Sequence, residues 1–201
     1  MNPGSSAVPA EDLVWYVSYG SNLLRQRFLC YIEGGLPEGS SHTNPGCSDR
    51  TPPRDDRLVM IPHPLVFAEH STAWGGAVAF VQHRTDGPPT YARAWLITWE
   101  QFEGVLSQEN KSSLMRLDRT TGPGWQGSLA PAGWYSWVIA LQDPLGDGRP
   151  AFTFTSPEPD GPPAPSPPSP QYLDTLRRGL LEMRLDPDAV ERYLEDRCQN
   201  R

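Results

Sequence analysis

Residues 156–170, SPEPDGPPAPSPPSP, hold eight prolines in fifteen positions. A run like this forms neither a helix nor an inner strand, because each proline fixes φ and lacks a backbone N–H. Its character is polyproline II. About thirty residues follow it, too few for a second hydrophobic core. The segment therefore reads as a stiff strap across the surface of a single domain spanning 13–201. Hydrophobic residues make up 37% of the 201-residue chain, a low share explained in part by 23 prolines and 18 glycines. Long irregular connections are expected, around a core this length can still bury. Residues 1–12 are small, polar and proline-containing, and read as a disordered tail.

A net charge of −7, with no basic stretch free of interleaved acids, argues against nucleic-acid binding. No apolar run approaches the roughly 20 residues of a membrane span, and no leader pattern opens the chain. The cysteines, Cys30, Cys47 and Cys198, are odd in number and widely spaced. That spacing suits a reducing cytoplasm better than a disulfide framework. Cys30, His42 and Cys47 match no compact zinc pattern, so no metal is expected.

Chemistry is most concentrated at Val17-Ser18-Tyr19-Gly20-Ser21-Asn22-Leu23. The apolar run Leu13 to Val17 reads as a buried strand. Gly20 breaks it, and Asn22 reads as the cap of a helix carrying Leu24, Phe28 and Ile32. Such a turn leaves backbone N–H groups unpaired and pointing one way, suited to a carboxylate, a phosphate or a developing oxyanion. It also suits an ordinary strand-to-helix connection. Residues 36–57 form a long loop in which Arg50, Arg54 and Arg57 alternate with aspartates, a self-paired pattern; one arginine gripping a substrate carboxylate is the sharper alternative.

Leu58 to Phe67 reads as one strand, at an edge or bulge because of Pro62 and Pro64. Gly75-Gly76 before Ala77–Val81 suggests close backbone approach, by a ligand or by packing. Tyr91 to Thr98 is a strand. Thr98 and Gln101 make a capping box opening a helix from Trp99 to about Gln108. Glu109 falls at the end of that helix, where the negative end of the dipole raises a carboxyl pKa and makes a better base; a surface glutamate on a fraying turn is the other reading. Residues 110–132 are polar and read as a loop or lid. Gly133 to Leu141 reads as a strand, with Ala151 to Thr155 pairing back as a hairpin. Tyr172, Leu176, Leu180 and Met183 make a helical stripe, and Asp186-Pro187 opens a last helix.

These stretches together resemble the gamma-glutamylcyclotransferase family. The likeness lies in Tyr19-Gly20-Ser21-Asn22-Leu23, Trp74-Gly75-Gly76, Leu106-Ser107-Gln108-Glu109-Asn110, Gly133-Trp134-Tyr135, and Pro167 to Tyr172. Five blocks in the family's order cover residues 15 to 172. Asn110 departs from the glycine usual after the glutamate, and the loops at 36–57 and 110–132 are long. The resemblance implies an α+β fold, a small mixed β-barrel with flanking helices. It also implies a cofactor-independent enzyme that closes a gamma-glutamyl chain into 5-oxoproline and expels an amine. Glu109 would be the general acid/base. Tyr19, Gly20, Ser21, Asn22 and Leu23 would hold the substrate, with Tyr135 and Tyr172 lining its pocket and Gly75 and Gly76 adding a backbone contact. Ser21 takes a binding role, since its surroundings are not those of a nucleophile. The partner implied is a small gamma-glutamyl molecule, in a monomer or homodimer. Rival readings are a tailoring enzyme removing a gamma-glutamyl or other acyl group by the same cyclisation, and a non-catalytic module for an acidic metabolite. Catalysis requires residue 109 to face the turn across a cavity.

Overall fold

Strand β1, Leu13–Ser18, is buried along nearly its whole length. It lacks polar alternation because the sheet is covered on both faces. The computed structural model describes residues 12–38, 43–129, 133–162 and 165–199. The tail at 1–11 and His42 lie outside these. A single 3₁₀ turn over Ser21–Leu23 joins β1 to helix α1, Arg25–Glu33. There follow β2 (Asp55–Ile61), β3 (Leu65–Ser71), β4 (Gly76–Val81) and β5 (Thr90–Thr98), then α2 (Trp99–Glu109). The chain ends with β6 (Gln126–Ser128), β7 (Trp137–Ala140), β8 (Ala151–Thr155), α3 (Pro170–Glu182) and α4 (Pro187–Gln199).

The architecture is α+β. Six strands form a mixed sheet in the order β2-β5-β1-β8-β7-β6, with β1 parallel to β8 and antiparallel to β5. Val14 and Tyr16 face one core, with Phe28 and Ile32 of α1 and Phe102 and Leu106 of α2. Trp15 and Val17 face the other, with the β3–β4 pair and with Leu176, Leu180 and Val190 of the last helices. The two sheets meet at Thr155, whose Oγ1 donates to the Val81 carbonyl (2.7 Å) and accepts from the Val81 N–H (3.0 Å).

The strap segment runs along β3 and β4. Proline carbonyls accept from Ala77 N–H (Pro167, 3.1 Å) and His83 N–H (Pro159, 2.9 Å), while Ser166 N–H donates to Phe67. Prolines accept but cannot donate, so the strand edge supplies the protons. A Cβ on Gly76 would stand 2.6 Å from Ser169 N; its close approach is to the strap.

Four expectations change. Leu58–Phe67 is not one strand: β2 ends at Ile61 and β3 begins at Leu65 in the other sheet, because Pro62 and Pro64 withhold two ladder donors. Gly133–Ser136 is a turn, leaving only Trp137–Ala140 paired between β8 and β6. The polar segment after residue 110 contains β6, an edge strand whose exposure explains its composition. Asn22 caps nothing; Leu24 precedes α1 without a side-chain cap. The capping box of α2 forms as read, with Gln101 N–H donating to Thr98 Oγ1 and Thr98 N–H to Gln101 Oε1.

Arg93 of β5 ties these layers together. Its Nε and Nη2 donate to Asp56 Oδ2 (2.8 and 2.7 Å) and its Nη1 to Glu182 Oε2 (2.7 Å) and the Leu23 carbonyl (2.8 Å). Its guanidinium stacks 4.1 Å from the Trp95 ring centroid. Glu182 also accepts from the first N–H of α1, at Arg25, where the helix dipole favours a carboxylate. Alongside, Gly179 lets α3 reach the backbone of Leu23, 2.6 Å from where a Cβ would sit. Arg93→Met is expected to lower unfolding stability in urea by about 2–3 kcal/mol. That is less than the loss of a fully buried pair, because Asp56 and Glu182 are partly solvated. An unchanged midpoint would show that the network carries no stability.

Candidate active site

The turn after β1, the first face of α1, the end of α2, β4 and the turn at 133–135 converge on a cavity of about 1280 Å³. Such a volume exceeds the usual range for small-molecule pockets. At the turn, Leu23 N–H bonds Gly20 O (2.9 Å) and Leu24 N–H bonds Ser21 O (3.2 Å). Among the described residues, no backbone carbonyl accepts from the amides of Gly20, Ser21 or Asn22. The Asn22 carbonyl is fixed from behind by Trp95 Nε1 at 3.0 Å.

Glu109, the last residue of α2, meets this turn. Asn22 Nδ2 donates to Glu109 Oε1 at 3.0 Å and to the Tyr16 hydroxyl at 3.2 Å. Asn22 Oδ1 is buried and has no hydrogen-bond partner. The Glu109 carboxyl is open to the cavity yet enclosed by protein, and burial pushes its pKa up. The nearby Arg27 guanidinium and hydrogen bonds from Tyr31 and Asn22 oppose that rise. Burial, rather than the helix end invoked from sequence, is thus the leading cause.

Two tyrosines hydrogen-bond the backbone of one residue, Ala79 of β4. The Tyr135 hydroxyl donates to Ala79 O (3.1 Å), and the Tyr172 hydroxyl accepts from Ala79 N–H (3.1 Å). Tyr172 keeps its own proton to donate, whereas Tyr135 has spent its proton and can only accept. Both hydroxyls stay protonated, since burial raises their pKa values. The ring of Tyr135 stacks on Phe80 at 4.9 Å. Its backbone is held by Asn110: Tyr135 N–H donates to Asn110 Oδ1 (3.0 Å), and Asn110 Nδ2 donates to Tyr135 O (3.1 Å) and Leu106 O (2.9 Å). The side chain that replaces the expected glycine therefore joins the end of α2 to the tyrosine turn.

Of the residues singled out in the sequence, Tyr19, Gly20, Ser21, Asn22, Glu109, Tyr135 and Tyr172 line one cavity. Leu23, Gly75 and Gly76 are not among the lining residues. Leu23 is core, Gly76 lies under the strap, and Gly75 closes a turn to Ser71. Neither Arg50, Arg54 nor Arg57 reaches the cavity; Arg57 pairs with Asp55 at 2.7 Å and Arg50 donates to Pro45 O. The cavity's arginine is Arg27, with Tyr31 one helical turn on. That i, i+4 spacing beside Phe28 and Ile32 was the available signal. Among the described residues no group of three or more metal-ligating side chains assembles. Cys47 instead faces the Tyr31 and Gln101 carbonyls, and burial pushes its thiol up to about 12. No helix of the described residues is long and apolar enough to cross a membrane.

The fold is that of gamma-glutamyl cyclotransferase. A solved structure of that name superposes with a TM-score of 0.56 at 17% identity, over 90% of this chain and 85% of that one. A human protein described as uncharacterized gives 0.53 at 17% identity, over 90% and 86%. In sequence, histone deacetylase 5 of Arabidopsis thaliana is 36% identical over 203 residues, covering 90% of this chain. The chain spans only 30% of that protein's length. No protein-family model matches.

Glu109 leaves a mark on stability. Its pKa is raised in the fold, so its burial costs nothing when both states are protonated, below the ordinary glutamate value. The native state loses stability as pH rises through the raised value. Glu109→Gln is expected to unfold at a higher temperature than the parent at neutral pH, with the gap closing in acid. Calorimetry across pH checks this; a pH-independent gap would contradict it.

Proposed function

We propose that this cavity cyclises gamma-glutamyl amides. The observation that carries the reading is the Asn22–Glu109 hydrogen bond, which puts a buried carboxyl in one cavity with a turn whose amides no backbone carbonyl takes. The fold shared with a gamma-glutamyl cyclotransferase supports it.

The substrate's α-amine attacks its own γ-carbonyl carbon. A carbon–nitrogen bond forms to close the five-membered lactam, and the bond to the leaving amine breaks. The attacking ammonium sheds two protons and the leaving nitrogen gains two, so no proton is lost overall. Because the nucleophile belongs to the substrate, holding the chain folded supplies the effective concentration. Glu109 takes a proton from the amine and returns it to the leaving nitrogen, a role worth about 10²–10⁴ in rate. Asn22 Oδ1, buried without a donor, accepts from the same amine. Amides of Gly20 and Ser21 receive the substrate carboxylate or the oxyanion, and Tyr172 donates beside them. This chemistry calls for no cofactor. A carboxyl directed at the turn weighs against the purely binding reading. The volume of the cavity leaves room for the larger amine of a tailoring substrate.

Offered gamma-glutamyl amino acids, gamma-glutamyl amines and glutathione, the protein is expected to release 5-oxoproline from at least one. Glu109→Gln should lose about 10²-fold or more in kcat. The acidic limb of the parent's rate profile should lie above the ordinary glutamate pKa, because the base works only when deprotonated. Full activity in Glu109→Gln, or silence on every gamma-glutamyl compound, would end the proposal.

A further inference from the structure

Three side chains of α2 hold the backbone of the chain that follows it. Glu103, Ser107 and Asn110 stand at the i, i+4, i+7 spacing of a single helical stripe. Glu103 Oε1 accepts from Leu117 N–H (3.2 Å), and Ser107 Oγ accepts from Met115 N–H (2.7 Å). Asn110 completes the row with its two bonds to the Tyr135 backbone and one back to Leu106 O. The stripe therefore fixes where the excursion leaves α2 and where it comes back.

The backbone at residue 110 does not call for the glycine expected there. Its φ of −94° and ψ of 5° are open to other residues. The left-handed position of this helix end falls one residue on, at Lys111, with a φ of 51°. Lys111 N–H bonds Gln108 O (3.2 Å) and Ser112 N–H bonds Ser107 O (2.9 Å), the bond pair of a Schellman end. What asparagine adds at 110 is its side chain. Gly133 makes room for it: a Cβ there would collide with Asn110 Oδ1. The backbone at 133 is not left-handed, so that collision is what bars alanine.

The Tyr135 hydroxyl has given its proton to Ala79 O, so toward the cavity it can only accept. A gamma-glutamyl group and its amide offer such an acceptor N–H groups, on the α-amine and on the scissile nitrogen. Those are the nitrogens between which Glu109 moves protons. Resting on the cyclotransferase reading above, we infer that Asn110 is a positioning residue, which sets the Tyr135 hydroxyl relative to Glu109 so that both reach the reacting nitrogens. Asn110 is joined to Glu109 along the chain and to Tyr135 through its side chain. Its amide groups are spent on backbone atoms of the protein, and it acts through Tyr135.

The test measures 5-oxoproline release by the full chain from the gamma-glutamyl amino acids, gamma-glutamyl amines and glutathione named above. Tyr135 accepts from the same N–H in the bound substrate and in the transition state, so its loss falls on KM. Asn110→Gly is expected to raise KM about ten-fold, the worth of one hydrogen bond, and to leave kcat nearly unchanged. Gly133→Ala, which dislodges the same side chain from the other end, should do likewise. Neither should raise KM further in a Tyr135→Phe background. A merely structural link would lower the melting temperature and slow both backgrounds by the same factor. The parent's KM in Asn110→Gly or in Gly133→Ala overturns this inference and leaves the cyclotransferase reading standing. So does an equal loss with and without the Tyr135 hydroxyl. A parent protein that releases no 5-oxoproline from any of these compounds overturns both. Gly133→Ala removes no hydrogen-bonding group, so it decides the matter even if Asn110→Gly folds poorly.

Discussion

One buried guanidinium holds the working turn in place. Arg93 reaches β2 through Asp56, α3 through Glu182 and the turn itself through the Leu23 carbonyl. A charge taken out of water is tolerated only when its donors are met with good geometry, and here three separate elements must be in register to meet them. Gly179 allows the last of these contacts by letting α3 lie against Leu23. The turn at Gly20 and Ser21, which lines the cavity, is therefore backed by a rigid surface, the condition for preorganised electrostatics.

The opposite side of the cavity is built on the same economy. A single residue, Ala79, orients two tyrosines through its N–H and its carbonyl and gives them unequal hydrogen-bonding roles. A single asparagine, Asn22, contacts Glu109 and Tyr16 through one amide nitrogen and leaves its oxygen for a ligand. The enclosure that raises the Glu109 pKa also raises those of Tyr16, Tyr19 and Tyr31. These hydroxyls thus remain neutral dipoles beside the Glu109 carboxyl. Enclosing so many polar groups in one place costs stability.

What the sequence revealed was local. The strand into Gly20, the Thr98–Gln101 capping box and the Asp186-Pro187 helix start depend on neighbours within four residues, and each formed. The fold class followed from the order of such pieces and the family likeness they carry. What stayed hidden depended on distant partners. Asn22 looked like a cap because its true partner lies 87 residues away. Arg93 drew no notice within strand β5, because neither Asp56 nor Glu182 is near it in sequence. Arg27 and Tyr31 were passed over beside Phe28 and Ile32, since nothing local says that a cavity opens there. Pro62 and Pro64 were noticed, but whether they bend a strand or divide it between sheets is decided by which edges are free to pair.

The bonds from Asn110 to Tyr135 bring the chain back to its point of departure after an excursion of two dozen residues. Met115, Leu117 and β6 anchor this detour to the core and the sheet, and lengthening the stretches between those anchors adds only a slowly growing closure entropy. Those stretches can thus vary in length while the end of α2 and the Tyr135 turn keep their alignment. A fold stitched in this way can vary at its periphery without redrawing its centre.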